Sequence, residues 1–295
     1  MEAALISEQS PIAADYSPLY EKVALIDGDI VCWRAAAVAE KKYYLAAEYD
    51  VTEGSWVGLE FDSAKEAKGK GSTIWSRTKD KGSDFAVEAL RTSMNSIVAR
   101  TRPSSYQVWL SGRDNFRYAI AKTKPYKGHR EYIDKPQHYK VCREALINEY
   151  GAKITEGYEA DDAIGIGMGE LGVGGFVASI DKDLDQLAGW HFNWVRDTVY
   201  RISRRDADFR LYTQILAGDP TDDVPGLEGI GESKARVILE GAKDSGDLFQ
   251  RTWAAYRDRL DWPREEAWNY FLEQANLVYI LRGKGKHYKP PGVPE

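Results

Sequence analysis

Gly157-Tyr158-Glu159-Ala160-Asp161-Asp162-Ala163-Ile164, followed after an apolar run by Ala178-Ser179-Ile180-Asp181-Lys182-Asp183-Leu184-Asp185, is the stretch on which the reading of this chain turns. Six acidic residues stand there in two groups: Glu159, Asp161 and Asp162, then Asp181, Asp183 and Asp185. The segment between them reads as helix, turn and buried strand. A fold that sets the helix N-terminus beside the strand C-terminus piles these carboxylates together. Several carboxylates cannot share a small space ionised unless cations neutralise them. The pattern therefore predicts a hard-metal site for Mg²⁺ or Mn²⁺, ions that prefer oxygen ligands. Acidic residues at a helix start also have an ordinary role, capping the helix and complementing its dipole. The nearby Asp181 and Asp183 favour the metal.

Composition narrows the class. A chain of 295 residues with 43% hydrophobic and 29% charged residues is ordinary for a globular protein. The start, Met1-Glu2-Ala3-Ala4-Leu5, lacks the basic region of a signal peptide, which points to the cytoplasm, or to a host's cytoplasm if the chain is phage-encoded. The most apolar window, Ala163 to Ile180, contains Glu170 and six glycines, poor material for a membrane span. Cys32 and Cys142 read as reduced core thiols. The net charge of −6 argues against a polyanionic partner until its distribution is seen. Between Arg113 and Arg143 nine basic residues face three acids. A basic stripe beside an acidic metal pocket suits a polyanion that is bound and then cut.

In chain order, residues 1–20 read as a loose arm and Lys22–Ile26 as a buried strand that ends in Asp27, with a helix over Ile30–Lys41. Alternation over Tyr43–Tyr49 and Trp56–Phe61 predicts an inserted antiparallel hairpin or small meander at 43–77, with a turn at Gly54-Ser55 and a mobile loop over Lys65–Gly71. A helix capped at Ser83-Asp84 follows, then a strand over Tyr106–Leu110 whose end loop carries Asp114. Later elements are a helix over Pro136–Tyr150, a strand over Ala152–Thr155, a helix from Glu159, a strand over Gly175–Ile180, a strand pair at Trp190–Val195 and Thr198–Ile202, and a helix over Asp208–Ala217. Strands alternating with helices predict an α/β core with a mostly parallel central sheet flanked by helices. Asp27, Asp114 and Asp181 each follow a predicted strand, so all three should meet at the carboxyl edge of that sheet. The boundaries expected are an α/β core at 21–217, a helical region at 218–282 and a flexible tail at 283–295. Trp253, Tyr256, Trp268, Tyr270 and Phe271 stand at helical spacing and read as core.

A second acidic cluster, Gly218-Asp219-Pro220-Thr221-Asp222-Asp223, has turn chemistry, and the three-residue spacing of Asp219 and Asp222 lets a turn aim both at one cation. Gly226-Leu227-Glu228-Gly229-Ile230-Gly231-Glu232-Ser233-Lys234 follows as a Gly-x-Gly hairpin opening a helix, where backbone N–H groups can approach a phosphate.

Taken together, Ile26-Asp27-Gly28, Asp114 with Phe116-Arg117, Pro125-Tyr126-Lys127-Gly128-His129-Arg130, Glu159-Ala160-Asp161-Asp162, Ser179-Ile180-Asp181-Lys182-Asp183, Gly218–Asp222 and Gly226–Lys234 resemble, in order, the flap endonuclease and 5′–3′ exonuclease family, especially its compact phage and bacterial members. The resemblance implies a PIN-like, flap-endonuclease-like fold with a helix–hairpin–helix-like C-terminal region. It implies a two-metal carboxylate site of Asp27, Asp114, Glu159, Asp161, Asp162, Asp181, Asp183, Asp219 and Asp222, with Lys127 and Arg130 facing the scissile phosphate. It also implies DNA contacts from Arg117, Lys122, Lys124, Tyr126, Lys127, Arg130, Gly229, Gly231 and Lys234, and a K⁺ ion at the hairpin. Tyr126 and Tyr132 are candidates for stacking on nucleobases. The implied activity is hydrolysis at DNA 5′ ends by a monomer, with RNA in RNA·DNA hybrids as a further substrate. Two features depart from the family pattern: 130–159 is short for an arch, and the 43–77 insertion is not a standard element.

Two rival readings remain. Asp27-Gly28-Asp29 mimics the DxD start of haloacid-dehalogenase-type phosphatases, but Ile30 follows where that class wants Thr or Val, and the Gly-rich hairpin has no role there. A non-catalytic DNA-binding protein on the same fold would retain unneutralised carboxylates that repel DNA.

Overall fold

The computed structural model describes residues 15–50, 52, 54–61, 63–68, 74–129 and 134–292. In chain order these form β1 (Val23–Asp27), α1 (Gly28–Ala39), β2 (Glu40–Asp50), β3 (Ser55–Phe61), α2 (Ala64–Lys68), β4 (Ile74–Asp80), α3 (Ser83–Thr101), β5 (Ser105–Leu110), α4 (Phe116–Ile120), α5 (Tyr139–Tyr150) and β6 (Lys153–Ile154). They continue with α6 (Ala160–Leu171), β7 (Gly175–Ala178), β8 (Gly189–Asn193), β9 (Thr198–Ile202), α7 (Arg204–Ala217), α8 (Glu232–Leu239), α9 (Ser245–Arg259) and α10 (Arg264–Val278). The chain divides into two compact units. One holds the chain up to Asp27, Ser96–Gly128 and everything from Ile154; the other holds Gly28–Asn95 and His129–Lys153.

The first unit is built on a six-stranded sheet in the order β6-β5-β1-β7-β8-β9. β1 runs parallel to β5 and β7, β7 runs parallel to β8, and β9 is antiparallel to β8. Ala24, Leu25 and Ile26 of β1 and Phe176, Val177 and Ala178 of β7 are wholly buried, the continuous apolar pattern of strands covered on both faces. Leu25 and Val177 pack with Ile164 and Met168 of α6 and with Leu184, Leu187 and Ile280. The glycines of α6 serve close approach: a Cβ at Gly165 or Gly169 would fall inside 3.0 Å of the Leu281 or Arg282 carbonyl oxygen. The apolar window at 163–180 is thus a core helix and strand, and among the described residues no helix is long and apolar enough to cross a membrane.

The boundary expected at 217/218 does not separate compact units. Leu211, Tyr212, Ile215 and Leu216 of α7 share one core with Leu227, Ile230, Ala235, Trp253, Tyr256 and Phe271, so the helical region is continuous with the α/β unit. The aromatic residues at helical spacing are core, as their period predicts. Two ends expected to be loose are docked in their described parts. Leu19 is fully buried at the front of the chain. Tyr288 is buried in the helical core, its hydroxyl 3.1 Å from that of Tyr212 and its N–H donating to Asn276 Oδ1 at 3.1 Å. Residues 1–14 and 293–295 lie outside the described residues.

The second unit contains an antiparallel sheet in the order β3-β2-β4, so the insertion is three-stranded and spans 40–80, wider than the 43–77 expected. α1 ends at Ala39 and β2 begins at the next residue, earlier than the helix end predicted at Lys41. Part of the predicted loop over Lys65–Gly71 is the end of α2, and 69–71 lie outside the described residues. α1 packs on α5, and the cysteines of these helices, Cys32 and Cys142, are fully buried. A two-point hydrogen bond from Arg91 to Glu149, at 2.8 and 2.7 Å, joins α3 to α5. Within 134–153 the segment considered for an arch forms a single helix, α5.

Candidate active site

The parallel order of β5, β1 and β7 sets their carboxyl ends along one sheet edge. Asp27 closes β1 and is 4% exposed. Ser179, just past β7, donates its hydroxyl to Asp27 Oδ2 at 2.9 Å and accepts the backbone N–H of Asp181 at 3.0 Å, so one hydroxyl ties the Asp27 carboxylate to the backbone that carries Asp181. Asp181 in turn accepts the Asp183 N–H at 2.9 Å. Asp183 Oδ1 also receives Arg210 Nη2 at 2.9 Å and Gln214 Nε2 at 2.7 Å, both from α7.

Glu159 is the N-cap of α6 and forms a reciprocal capping box with Asp162. Ser111, at the end of β5, accepts the Ala160 N–H at 3.0 Å and so ties this helix start to the sheet edge. Asp219 and Asp222 come from a loop closed on itself by hydrogen bonds in both directions between Asp219 and Val224, at 2.8 and 2.9 Å. Gly218 and Gly226 make that closure possible. Both have positive φ, and a Cβ on either would fall inside 3.0 Å of backbone atoms of the other segment.

Tyr126 and Lys127 draw the two acidic clusters together. The Tyr126 hydroxyl lies 2.9 Å from Glu159 Oε2 and 2.7 Å from Asp222 Oδ2. The Lys127 ammonium pairs with Glu159 and lies 3.4 Å from Asp222 Oδ2, while its N–H donates to the Asp222 carbonyl at 2.9 Å. Lys127 holds φ of 55°, a left-handed backbone that a side chain rarely adopts. Glu159, Asp161, Asp183, Asp219 and Asp222, with Tyr126 and Gln214, line a cavity of about 30 Å³.

The electrostatics are unbalanced. Burial, then the charges of Asp27, Asp181 and Glu159, push the Asp161 carboxyl well above the usual range. Asp181, Asp183 and Asp219 are pushed up as well, each chiefly by burial and then by neighbouring carboxylates. Glu159 goes the other way, because Lys127 and Arg117 outweigh its burial. Carboxylates raised together are a place where a cation would be stabilised. Among the described residues, no three acidic, histidine or cysteine side chains stand ready-made around an ion position. Lys127 and Arg210 already hold Glu159 and Asp183.

Several predicted site residues have other duties. Arg117 is 2% exposed and cannot reach DNA. It grips Asp162 at 2.6 and 2.9 Å and donates to the Leu277 and Tyr279 carbonyls at 2.9 and 2.7 Å. Asp162 is wholly buried and also accepts the Leu281 N–H at 3.0 Å and the Glu159 N–H at 3.1 Å, so its oxygens hold protein, not metal. Tyr126 is 4% exposed, which rules out base stacking as placed. Asp114 lies on the exposed loop after β5, outside the interacting group. Lys122 and Lys124 are exposed, and Lys124 pairs with Asp223. Gly229 and Gly231 lie in the exposed hairpin ahead of α8 and Lys234 in the first turn of that helix, its Nζ donating to the Gly229 carbonyl at 2.8 Å. Arg130 and Tyr132 lie outside the described residues. Asp29, which the phosphatase reading requires, accepts Tyr139 OH at 2.9 Å and Arg143 Nη1 at 2.7 Å inside the second unit. Sequence reasoning missed Ser111, Ser179, Arg210 and Gln214. The two serines carry a weak signal, standing at strand ends; the i,i+4 spacing of Arg210 and Gln214 marks one face of α7.

No family model matches the chain. A 5′-3′ exonuclease of Aquifex aeolicus is 30% identical over 176 residues, 52% of this chain and 58% of that protein. DNA polymerase I of Bacillus caldotenax is 32% identical over 180 residues, again 52% of this chain but 20% of the polymerase. The chain is homologous to proteins named 5′-3′ exonuclease and DNA polymerase I. It spans less than two thirds of each of these relatives. Its fold is that of the T5 5′-exonuclease. The T5 D15 protein, co-crystallised with metal ions, superposes with a TM-score of 0.53 at 15% identity, covering 87% of this chain and 88% of that one. A second structure, of T5 5′-exonuclease, gives 0.52 at 14% identity, covering 88% and 87%. The mostly parallel sheet flanked by helices therefore agrees with the fold expected from the sequence, and at this identity the likeness speaks to fold alone.

Proposed function

We propose that this chain is a divalent-metal-dependent 5′ nuclease that hydrolyses phosphodiester bonds at DNA 5′ ends. The observation that carries the reading is the gathering of Glu159, Asp161, Asp183, Asp219 and Asp222 around one cavity, with the Lys127 ammonium paired to Glu159 on its margin. The homology to 5′-3′ exonucleases supports it.

Asp27, Glu159, Asp161, Asp181, Asp183, Asp219 and Asp222 would hold Mg²⁺ or Mn²⁺ ions, two in number, and Asp114, exposed on the loop after β5, would join them through water. The donor chemistry fits, since every group is a hard oxygen ligand in a half-buried, net-negative place. The chemistry such ions supply when bound is a lower pKa for the attacking water and relief of charge on the leaving 3′-oxygen. The protein's own groups do the rest. Ser179 anchors the Asp27 carboxylate to the backbone of Asp181. Lys127, with Arg130, balances charge that develops on the phosphoryl oxygens. The exposed hairpin around Gly229 and Gly231 would contact duplex backbone through its N–H groups, and the same hairpin would hold the K⁺ ion, which supplies positive charge toward a phosphate when bound. A non-catalytic DNA-binding role would leave the raised carboxylates without a purpose and in repulsion with the ligand. RNA·DNA hybrids as second substrate, a monomeric state and a cytoplasmic location complete the proposal.

The test uses 5′-labelled duplex, nicked, gapped and flap DNA with Mg²⁺ or Mn²⁺, and the same reactions in chelator. Nucleotide release should vanish in chelator and in Asp181→Ala. An unchanged rate in that variant sinks the assignment.

A further inference from the structure

Arg210 belongs to no motif that the sequence singles out, yet it stands between the two functional regions of the first unit. It lies on α7 one turn before Gln214, and both side chains donate to the same oxygen, Oδ1 of Asp183, at 2.9 and 2.7 Å. The other end of its guanidinium lies 3.5 Å from Glu232 Oε1, at the first turn of α8, directly after the Gly229–Gly231 hairpin. Glu232 also takes Arg236 at 2.8 Å, so it is shared between two arginines. The Nε of Arg210 is buried and makes no hydrogen bond among the described residues, and a buried unmet donor makes a side chain's position easier to trade for another. One cation thus hangs between a carboxylate of the candidate metal site and an acid on the hairpin helix.

We propose that Arg210 is a positioning residue that couples duplex binding at the hairpin to divalent-cation binding at Asp183. The proposal rests on the metal-nuclease reading above. While no DNA is bound, the guanidinium holds Asp183 and competes with an incoming cation for its charge. A backbone phosphate at the Gly229–Gly231 hairpin adds negative charge on the Glu232 side. It draws the guanidinium away from Asp183 and frees that carboxylate. Linkage then requires that DNA tighten metal binding and that metal tighten DNA binding by the same factor.

The experiment measures Mn²⁺ binding to the full chain directly, by the loss of free-Mn²⁺ signal in electron paramagnetic resonance, with and without a duplex carrying a 5′ end. Arg210→Met should bind Mn²⁺ roughly fivefold more tightly without DNA and lose the tightening that DNA confers on the unaltered protein. Glu232→Gln removes the competing acid, leaves Arg210 to Asp183 alone and should weaken DNA-free Mn²⁺ binding about twofold. Arg210→Lys should fall between Arg210→Met and the unaltered protein. Opposite signs from two side chains on different helices are not what loss of structure produces, and Glu232 is exposed enough that its change leaves the fold intact. Equal Mn²⁺ affinity in Arg210→Met and the unaltered protein, or weaker affinity in that variant, overturns the coupling while the metal site stands. An unaltered protein that binds no Mn²⁺ overturns the metal reading itself, and the coupling with it.

Discussion

Arg117 and Asp162 form a two-point ion pair, at 2.6 and 2.9 Å, with both side chains almost completely out of water. The pair does mechanical work beneath the candidate active site. Through Asp162 it caps α6, and through Arg117 it holds the carbonyls at Leu277 and Tyr279, the exit of α10. Removing either partner leaves a buried charge without its counter-charge. Arg117→Ala and Asp162→Ala should each destabilise the protein by about 3–5 kcal/mol, read by chemical denaturation. Asp162→Asn should lose stability yet cleave DNA better than Asp181→Asn when both are assayed folded. The reverse order would return Asp162 to the metal site.

Lys127 offers a cleaner separation of roles. Its ammonium rests on Glu159 at the margin of the carboxylate group. Lys127→Ala should reduce the cleavage rate by about 10²–10³-fold, the usual loss for one charge-stabilising donor. Equilibrium binding of a 5′-labelled duplex, measured in Ca²⁺, should stay within a few-fold. Equal loss of binding and rate would make it a binding residue only.

Stability should depend on pH with a definite sign. Asp161, Asp181, Asp183 and Asp219 have folded-state pKa values raised, chiefly by burial. Such a group contributes stability that is present below its unfolded pKa, about 3.9, and lost as pH rises through the raised folded value. Glu159 is lowered, so its contribution is present above its unfolded pKa and lost as pH falls through the folded one. Four raised groups against one lowered group mean that, from this site, metal-free protein loses stability as pH rises from the acid range toward neutral. Asp161→Asn should therefore melt a few degrees higher than the unaltered protein at pH 7 in chelator, at about 2–4 °C per kcal/mol for a chain of this size. The difference should shrink near pH 4, and saturating Mg²⁺ should remove it at pH 7. A lower melting point for Asp161→Asn in chelator would contradict the unbalanced charge.

The loop that carries Asp219 and Asp222 depends on glycine. Gly226 has φ of 64°, and a Cβ there would fall inside 3.0 Å of Gly218 backbone. Gly226→Ala should cost about 1–3 kcal/mol and loosen both carboxylates, lowering cleavage more than DNA binding. A variant with native stability and full activity would show that the closed loop is not required.

What the sequence determined by itself was the class of fold and the kinds of chemistry present. Apolar strand runs ending in Asp27 and just before Asp181, alternating with helical periods, dictate a parallel sheet whose carboxyl edge collects acids, because strand burial and crossover topology are local and repetitive signals. The aromatic period of α9 and α10 likewise dictated a core. Tertiary structure alone decided how the polar residues divide their labour. Asp161 and Asp162 are neighbours of the same chemistry at the same helix start, yet one faces the carboxylate cavity and the other is spent on Arg117 and a cap. Tyr126, read as a surface stacker, is buried between two acids. Arg210 and Tyr288 drew no attention as letters and became, respectively, a partner of Asp183 and part of the helical core. A side chain's hydrogen-bond partners lie tens to hundreds of residues away in sequence, and which of them arrives first is settled by packing. Composition names the charges in the site, and the fold decides which of them remain to meet a ligand.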